Sequence, residues 1–262
     1  MRLRFWRRPR IQVIELRGVL ASRGALNIAA YGPLIDRAFA RAGGLPVILD
    51  IESPGGSPVQ SDLIASRIRR RAEKAGVPVH AVIGEVGASG GYWLACAADR
   101  IHANPMSIVG SIGVIGGGFG APELLARAGI ERRVYIAGEN KARLDPFSPE
   151  KPEDVAFVKA LMGELHERFK QWVRTRRGAR LLAPEASVFD GGWMLGARAV
   201  EAGLVDALGD LDGVVRELGG EKMRVQIHRP RKRGLLSRLP RLMAEAALDV
   251  LEERRLRPDV SI

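Results

Sequence analysis

Twice between residues 46 and 98 the chain runs a β-rich stretch straight into a glycine-rich turn and then into a helix, and this repeat constrains the fold more than any other feature. The run PVILDI (46–51) leads into SPGGS (53–57) and a helical pattern from about residue 59 to residue 75. The run VPVHAVI (77–83) leads into GEVGASGGYW (84–93), which opens a helix predicted through residue 98. The rest of the chain is read to match. IQVIEL (11–16) is a first strand, 31–42 has helical spacing, RIHA (100–103) is a short strand, and a glycine-rich stretch covers 109–120. A helix at 122–129, a strand at 133–137 and a long helix at 150–178 follow, with 185–203 and 211–218 completing the body. Strands alternating with helices predict an α/β domain whose strand-end loops carry the chemistry.

Charge is placed at the ends. The net +11 comprises +5 from five arginines in residues 1–10 and +4 in residues 228–262, which leaves +2 for residues 11–227. A nearly neutral body argues against nucleic-acid binding, whereas basic arms suit peripheral contact with an anionic membrane. The expected organisation is a basic arm (1–10), one α/β domain (11–227), and a basic linker with an amphipathic helix (228–262) that carries an apolar stripe from Leu239 to Leu251. No apolar run reaches the roughly 18–20 residues of a membrane-spanning helix, and the basic N-terminus lacks the apolar region of a signal peptide. The single cysteine, Cys96, excludes an intrachain disulfide and fits a reducing, cytoplasmic setting.

Both glycine turns place backbone where a ligand must come close. Paired glycines at Gly55 and Gly56 free amide N–H groups to turn outward, as an oxyanion hole requires. In GASGG (87–91), small residues flank Ser89 at the start of a helix, an arrangement that suits a nucleophile. A serine nucleophile needs a base. His80, His102, His166 and His228 each read more simply as core-edge or surface histidines. A lysine can serve when its amine is neutral, and Lys141 lies in a turn-rich stretch after a predicted strand. By position alone it reads more simply as a solvated surface lysine.

A resemblance bears on that choice. DIESPGGS (50–57), GASGGYW (87–93), GSIGV (110–114) and GENK (138–141), in that order, with AVEAGLVD (199–206) further on, resemble the signal peptide peptidase family of Ser/Lys peptidases (S49), and its single-domain SohB-like members in particular. The resemblance covers about residues 10–220 and implies a Clp/crotonase-like α/β fold of repeated ββα and βα units. It implies Ser89 as nucleophile, Lys141 as general base, Gly55 or Gly56 with Gly90 as oxyanion donors, and Ser111 as the residue that orients the lysine amine. It further implies a peptide substrate, no cofactor and no metal, and a homo-oligomeric ring in which serine and lysine can come from neighbouring protomers. The chain departs from the family in having basic residues where a membrane anchor is usual, and Asn140 where an aromatic often precedes the lysine. Two rival expectations share the fold: a crotonase-type acyl-CoA enzyme, which would use a carboxylate base, and a non-catalytic membrane-associated scaffold.

Overall fold

The computed structural model describes residues 9–230. The arm at 1–8 and the tail with its apolar stripe lie outside the described residues. Eight strands form one sheet: β1 (Arg10–Arg17), β2 (Val47–Ser53), β3 (Val79–Ala88), β4 (Arg100–Ala103), β5 (Ile108–Gly110), β6 (Trp193–Leu195), β7 (Ala207–Leu208) and β8 (Arg224–His228). The helices are α1 (Ile28–Ala40), α2 (Pro58–Ala75), α3 (Gly90–Ala95), α4 (Pro122–Arg127), α5 (Pro152–Arg177), α6 (Glu185–Val188), α7 (Gly196–Glu201) and α8 (Leu211–Gly219). The main path across the sheet is β6-β5-β3-β2-β1-β8, and β4 branches from β3 to pair with β7. All pairings are parallel except β5 with β6.

Parallel pairing with cover on both faces explains why β1 and β2 are buried along nearly their whole length, Gln12 and Asp50 included. Ile11 and Val13 of β1 face a small core closed by Val214 and Val215 of α8, while Ile14 and Leu16 face the main core beneath α1, α2 and α3. Helices α1 and α2 start on local signals. Asn27 caps α1 by accepting the Ala30 N–H, and Ser57 caps α2 ahead of Pro58, which fits a first helical turn. Gly76 ends α2 in the left-handed conformation. Helix α5 docks by its C-terminal half through buried Phe169, Val173 and Arg177, one turn apart, and Arg177 forms a two-pronged pair with Asp206 at 2.8 and 2.9 Å.

The structure corrects the sequence reading in two places. The glycine-rich string at 84–88 does not begin the helix. It continues β3 to Ala88, because Val86, Gly87 and Ala88 pair with β5 and the Glu52 carboxylate takes the Glu85 and Val86 N–H groups. The strand expected at 133–137 is irregular and exposed, since its consecutive Val134, Tyr135 and Ile136 have no neighbouring strand to pair with among the described residues. Among the described residues no helix is long and apolar enough to cross a membrane.

Two of the four histidines form a buried pair. The rings of His80 and His102 stack with centroids 5.4 Å apart, and His80 Nδ1 lies 3.2 Å from His102 Nε2. Burial pushes both imidazoles below their ordinary value; repulsion from His102 and Arg100 lowers His80 further, Arg100 also lowers His102, and Glu217, Asp99 and Asp206 act in the opposite sense. The unfolded chain therefore binds protons first, and stability is lost as pH falls below about 6.5. Thermal unfolding at pH 7 and pH 5 should show this acid loss in the wild type and a smaller one in His102→Gln. An equal loss in both would remove the pair as its source.

Candidate active site

The two turns predicted to carry chemistry meet at the ends of β2 and β3. Ser89 closes β3 and precedes α3 with φ 51° and ψ −122°, a conformation that L residues rarely adopt and that costs roughly 1–3 kcal/mol. Neighbouring structure holds it there. The Ser89 N–H donates to Gly110 O at 2.8 Å, and Ser89 O accepts the Trp93 N–H at 2.9 Å. The hydroxyl has no hydrogen-bond partner among the described residues, so it is unencumbered.

Facing it, Gly55 and Gly56 adopt φ 101° and φ 133°. A Cβ on Gly55 would lie 2.7 Å from Gly90 N and 2.8 Å from Ser89 Cβ, and one on Gly56 would overlap Leu20 O. Only hydrogen fits at either position. Leu20 stitches this turn down, donating to Gly55 O at 2.8 Å and accepting the Ser57 N–H at 2.7 Å. The Gly55 amide is spoken for, since it donates to Ser53 Oγ at 3.2 Å. Among the described residues the Gly56 and Gly90 amides have no acceptor, and both border the same cavity as Ser89. Of the glycines singled out by sequence, these two are the free donors, and Gly55 is the spacer that lets them converge.

That cavity has a volume of ≈ 580 Å³ and joins Ser89, Gly56, Gly90 and Ser111 to an apolar wall of Trp93, Val114, Ile115, Leu165 and Phe169. Ser111 has a left-handed backbone, φ 52°. Lys141 is not part of the cavity lining. It sits exposed in a turn, its N–H donating to Gly138 O at 3.0 Å, within a stretch that projects little into the core of its own chain. One protomer thus assembles the serine and its surroundings, and the lysine stands apart from them.

Two residues that sequence reasoning passed over also line the cavity: His166, on α5, and Asp190. His166 Nε2 donates to Ile112 O at 2.9 Å. The signal for His166 was its place three residues before the buried Phe169, on the face of α5 that meets the body; Asp190 carried none, because only the pairing of β6 with β5 brings it here. The other histidines are elsewhere, His80 with His102 and His228 with Gln12. Cys96 is no rival nucleophile, since complete burial pushes its thiol up to about 12. Among the described residues no group of three or more His, Cys, Asp or Glu side chains is placed to hold a metal.

The profile of peptidase family S49 matches residues 71–224. The chain is 43% identical over 233 residues to a protein named Na(+)/H(+) antiporter NhaA from Brucella abortus (strain 2308); the match covers 87% of this chain but only 31% of that protein's length. It is 32% identical over 204 residues to the putative protease slr0021 of Synechocystis, covering 77% of this chain and 70% of the relative. Among solved structures, a mutant of the 1510-N membrane-bound stomatin-specific protease superposes with a TM-score of 0.52 at 14% identity, over 85% of this chain and 98% of that one. The likeness is one of fold, and it fits the α/β Clp/crotonase-like architecture that the sequence led us to expect.

Proposed function

The chain belongs to peptidase family S49, and from that premise we propose that it is a serine endopeptidase working through a Ser89/Lys141 dyad. The observation that carries the reading is the strained, unencumbered Ser89 beside two acceptor-free amides in an apolar-walled cavity. Neutral Lys141 takes the Ser89 proton as Oγ attacks a peptide carbonyl. The amides of Gly56 and Gly90 hold the oxyanion of the tetrahedral intermediate. Its collapse expels the amine, protonated by the lysine, and leaves an ester on Ser89 that water hydrolyses. Ser111 orients the lysine amine.

Because Lys141 of a protomer lies away from that protomer's Ser89 cavity, the base is supplied by a neighbouring copy in a homo-oligomeric ring. The cavity wall of Trp93, Val114, Ile115, Leu165 and Phe169 selects small or apolar side chains before the cut. Suitable substrates are hydrophobic or membrane-associated peptides, including remnants of signal peptides, met on the cytoplasmic face where the basic ends contact anionic lipid.

A fluorophosphonate probe should label the native assembled protein at Ser89, with a rate that rises from about pH 6 to pH 9 as general-base catalysis by an amine requires. Labelling with a flat profile would overturn the lysine base. Absence of labelling would overturn the peptidase reading and favour a non-catalytic scaffold.

A further inference from the structure

Three hydrogen bonds from three separate elements converge on residues 110–112, the segment that carries Ser111. From the end of β3, the Ser89 N–H donates to Gly110 O at 2.8 Å. From the turn at 190–193, Gly192 O accepts the Ser111 N–H at 2.6 Å. From α5, His166 Nε2 donates to Ile112 O at 2.9 Å. The turn is itself closed by a side chain, since Asp190 Oδ1 accepts the Gly192 N–H at 2.8 Å. Contact between the loops is direct: a Cβ on Gly113 would come within 2.9 Å of Gly191 Cα.

Ser111 pays for this confinement with a left-handed backbone at φ 52°, which a serine abandons unless its surroundings forbid the alternatives. We propose, resting on the Ser89/Lys141 reading above, that Asp190 and His166 are positioning residues that clamp Ser111 from its two sides. Asp190 acts through the Gly192 carbonyl on the Ser111 amide. His166 acts on the next peptide, through Ile112 O. Together they fix the Ser111 hydroxyl on the cavity wall where the incoming lysine amine must be received.

The chemistry of the His166 bond separates this role from that of a base. A carbonyl only accepts, so Nε2 carries a proton whether the imidazole is neutral or charged. The bond to Ile112 O therefore needs that one N–H and no charge on the ring. Asp190 needs only a side-chain oxygen acceptor, not a charge, to close its turn.

The test uses the assembled full-length protein and compares wild type, Asp190→Ala, Asp190→Asn and His166→Ala. The measurements are kcat and KM on a fluorogenic peptide, fluorophosphonate labelling of Ser89, and the pH profile of each. Loss of either arm should lower kcat by on the order of 10²-fold, the usual cost of slight misplacement in a reacting assembly. KM should stay within about threefold, since the apolar part of the wall, Trp93, Val114, Ile115, Leu165 and Phe169, is untouched. Asp190→Asn should recover most of the rate, because its amide oxygen accepts the same N–H. His166→Ala should lower the plateau while leaving the alkaline rise in place.

Wild-type kcat in Asp190→Ala would overturn the proposal, as would equal loss in the Ala and Asn variants, which would point to the charge. Loss of the alkaline rise in His166→Ala would make His166 the base and overturn its positioning role. If Asp190→Ala fails to fold, the His166 variant decides through its plateau and profile. A wild type that hydrolyses peptide without labelling at Ser89 would overturn the Ser89 reading, and the clamp with it; a labelled wild type with unaffected variants overturns the clamp alone.

Discussion

Ser89→Ala should abolish peptide hydrolysis and fluorophosphonate labelling while leaving the fold and its melting temperature essentially unchanged. Loss of a nucleophile from a serine peptidase costs on the order of 10⁴–10⁶ in kcat. The fold has no reason to suffer. Ser89 is held by its backbone, through Gly110 O and the Trp93 N–H, and both bonds survive substitution by alanine. The hydroxyl contributes no hydrogen bond among the described residues whose loss would be felt. Hydrolysis that persists in Ser89→Ala would end the assignment, and a large fall in melting temperature would mean that the serine is structural.

Lys141→Ala should inactivate the enzyme as thoroughly as Ser89→Ala, and yet mixing the two inactive variants should restore activity. In a ring where each site joins the serine of one copy to the lysine of the next, random mixing of equal amounts reconstitutes about one quarter of the sites, since the interface is head-to-tail. The expectation follows from the exposed turn that holds Lys141 and from its absence from the lining of the Ser89 cavity. The check is hydrolysis after the two variants are dissociated, combined and reassembled. No recovery, with rings demonstrably mixed, would place both members of the dyad within one chain.

What could be read from the sequence divides along physical lines. The elements around residues 11–103 were legible because their signals are local: apolar runs for β1 and β2, Ser57 and Pro58 at the start of α2, Gly76 at its end. The junction between β3 and α3 was misplaced by the length of GEVGA, because its strand character comes from β5 and from Glu52, neither adjacent in sequence. The three-residue β6 and two-residue β7 are too short to show any period and exist through their partners. At 133–137 the opposite happened, and a β-rich run of Val134, Tyr135 and Ile136 found no partner among the described residues. Ser89, Gly56, Gly90 and Ser111, all singled out by sequence, line one cavity. That Gly55 is a spacer whose amide is engaged by Ser53, and that Asp190 reaches the same cavity, are facts of contact that no spacing of residues could announce.

The antiparallel pair of β5 and β6 is three residues long on each side, and it has a consequence for how this protein fails. Gly110, which accepts the Ser89 N–H, and Gly192, which accepts the Ser111 N–H, both lie on or beside it. Such a short border ladder belongs to the part of a molecule that opens first, well before the buried centre formed by β1, β2 and β3. Heat or mild denaturant should thus silence the protein by fraying one margin of its sheet, with most of the structure still standing and recovery immediate on cooling.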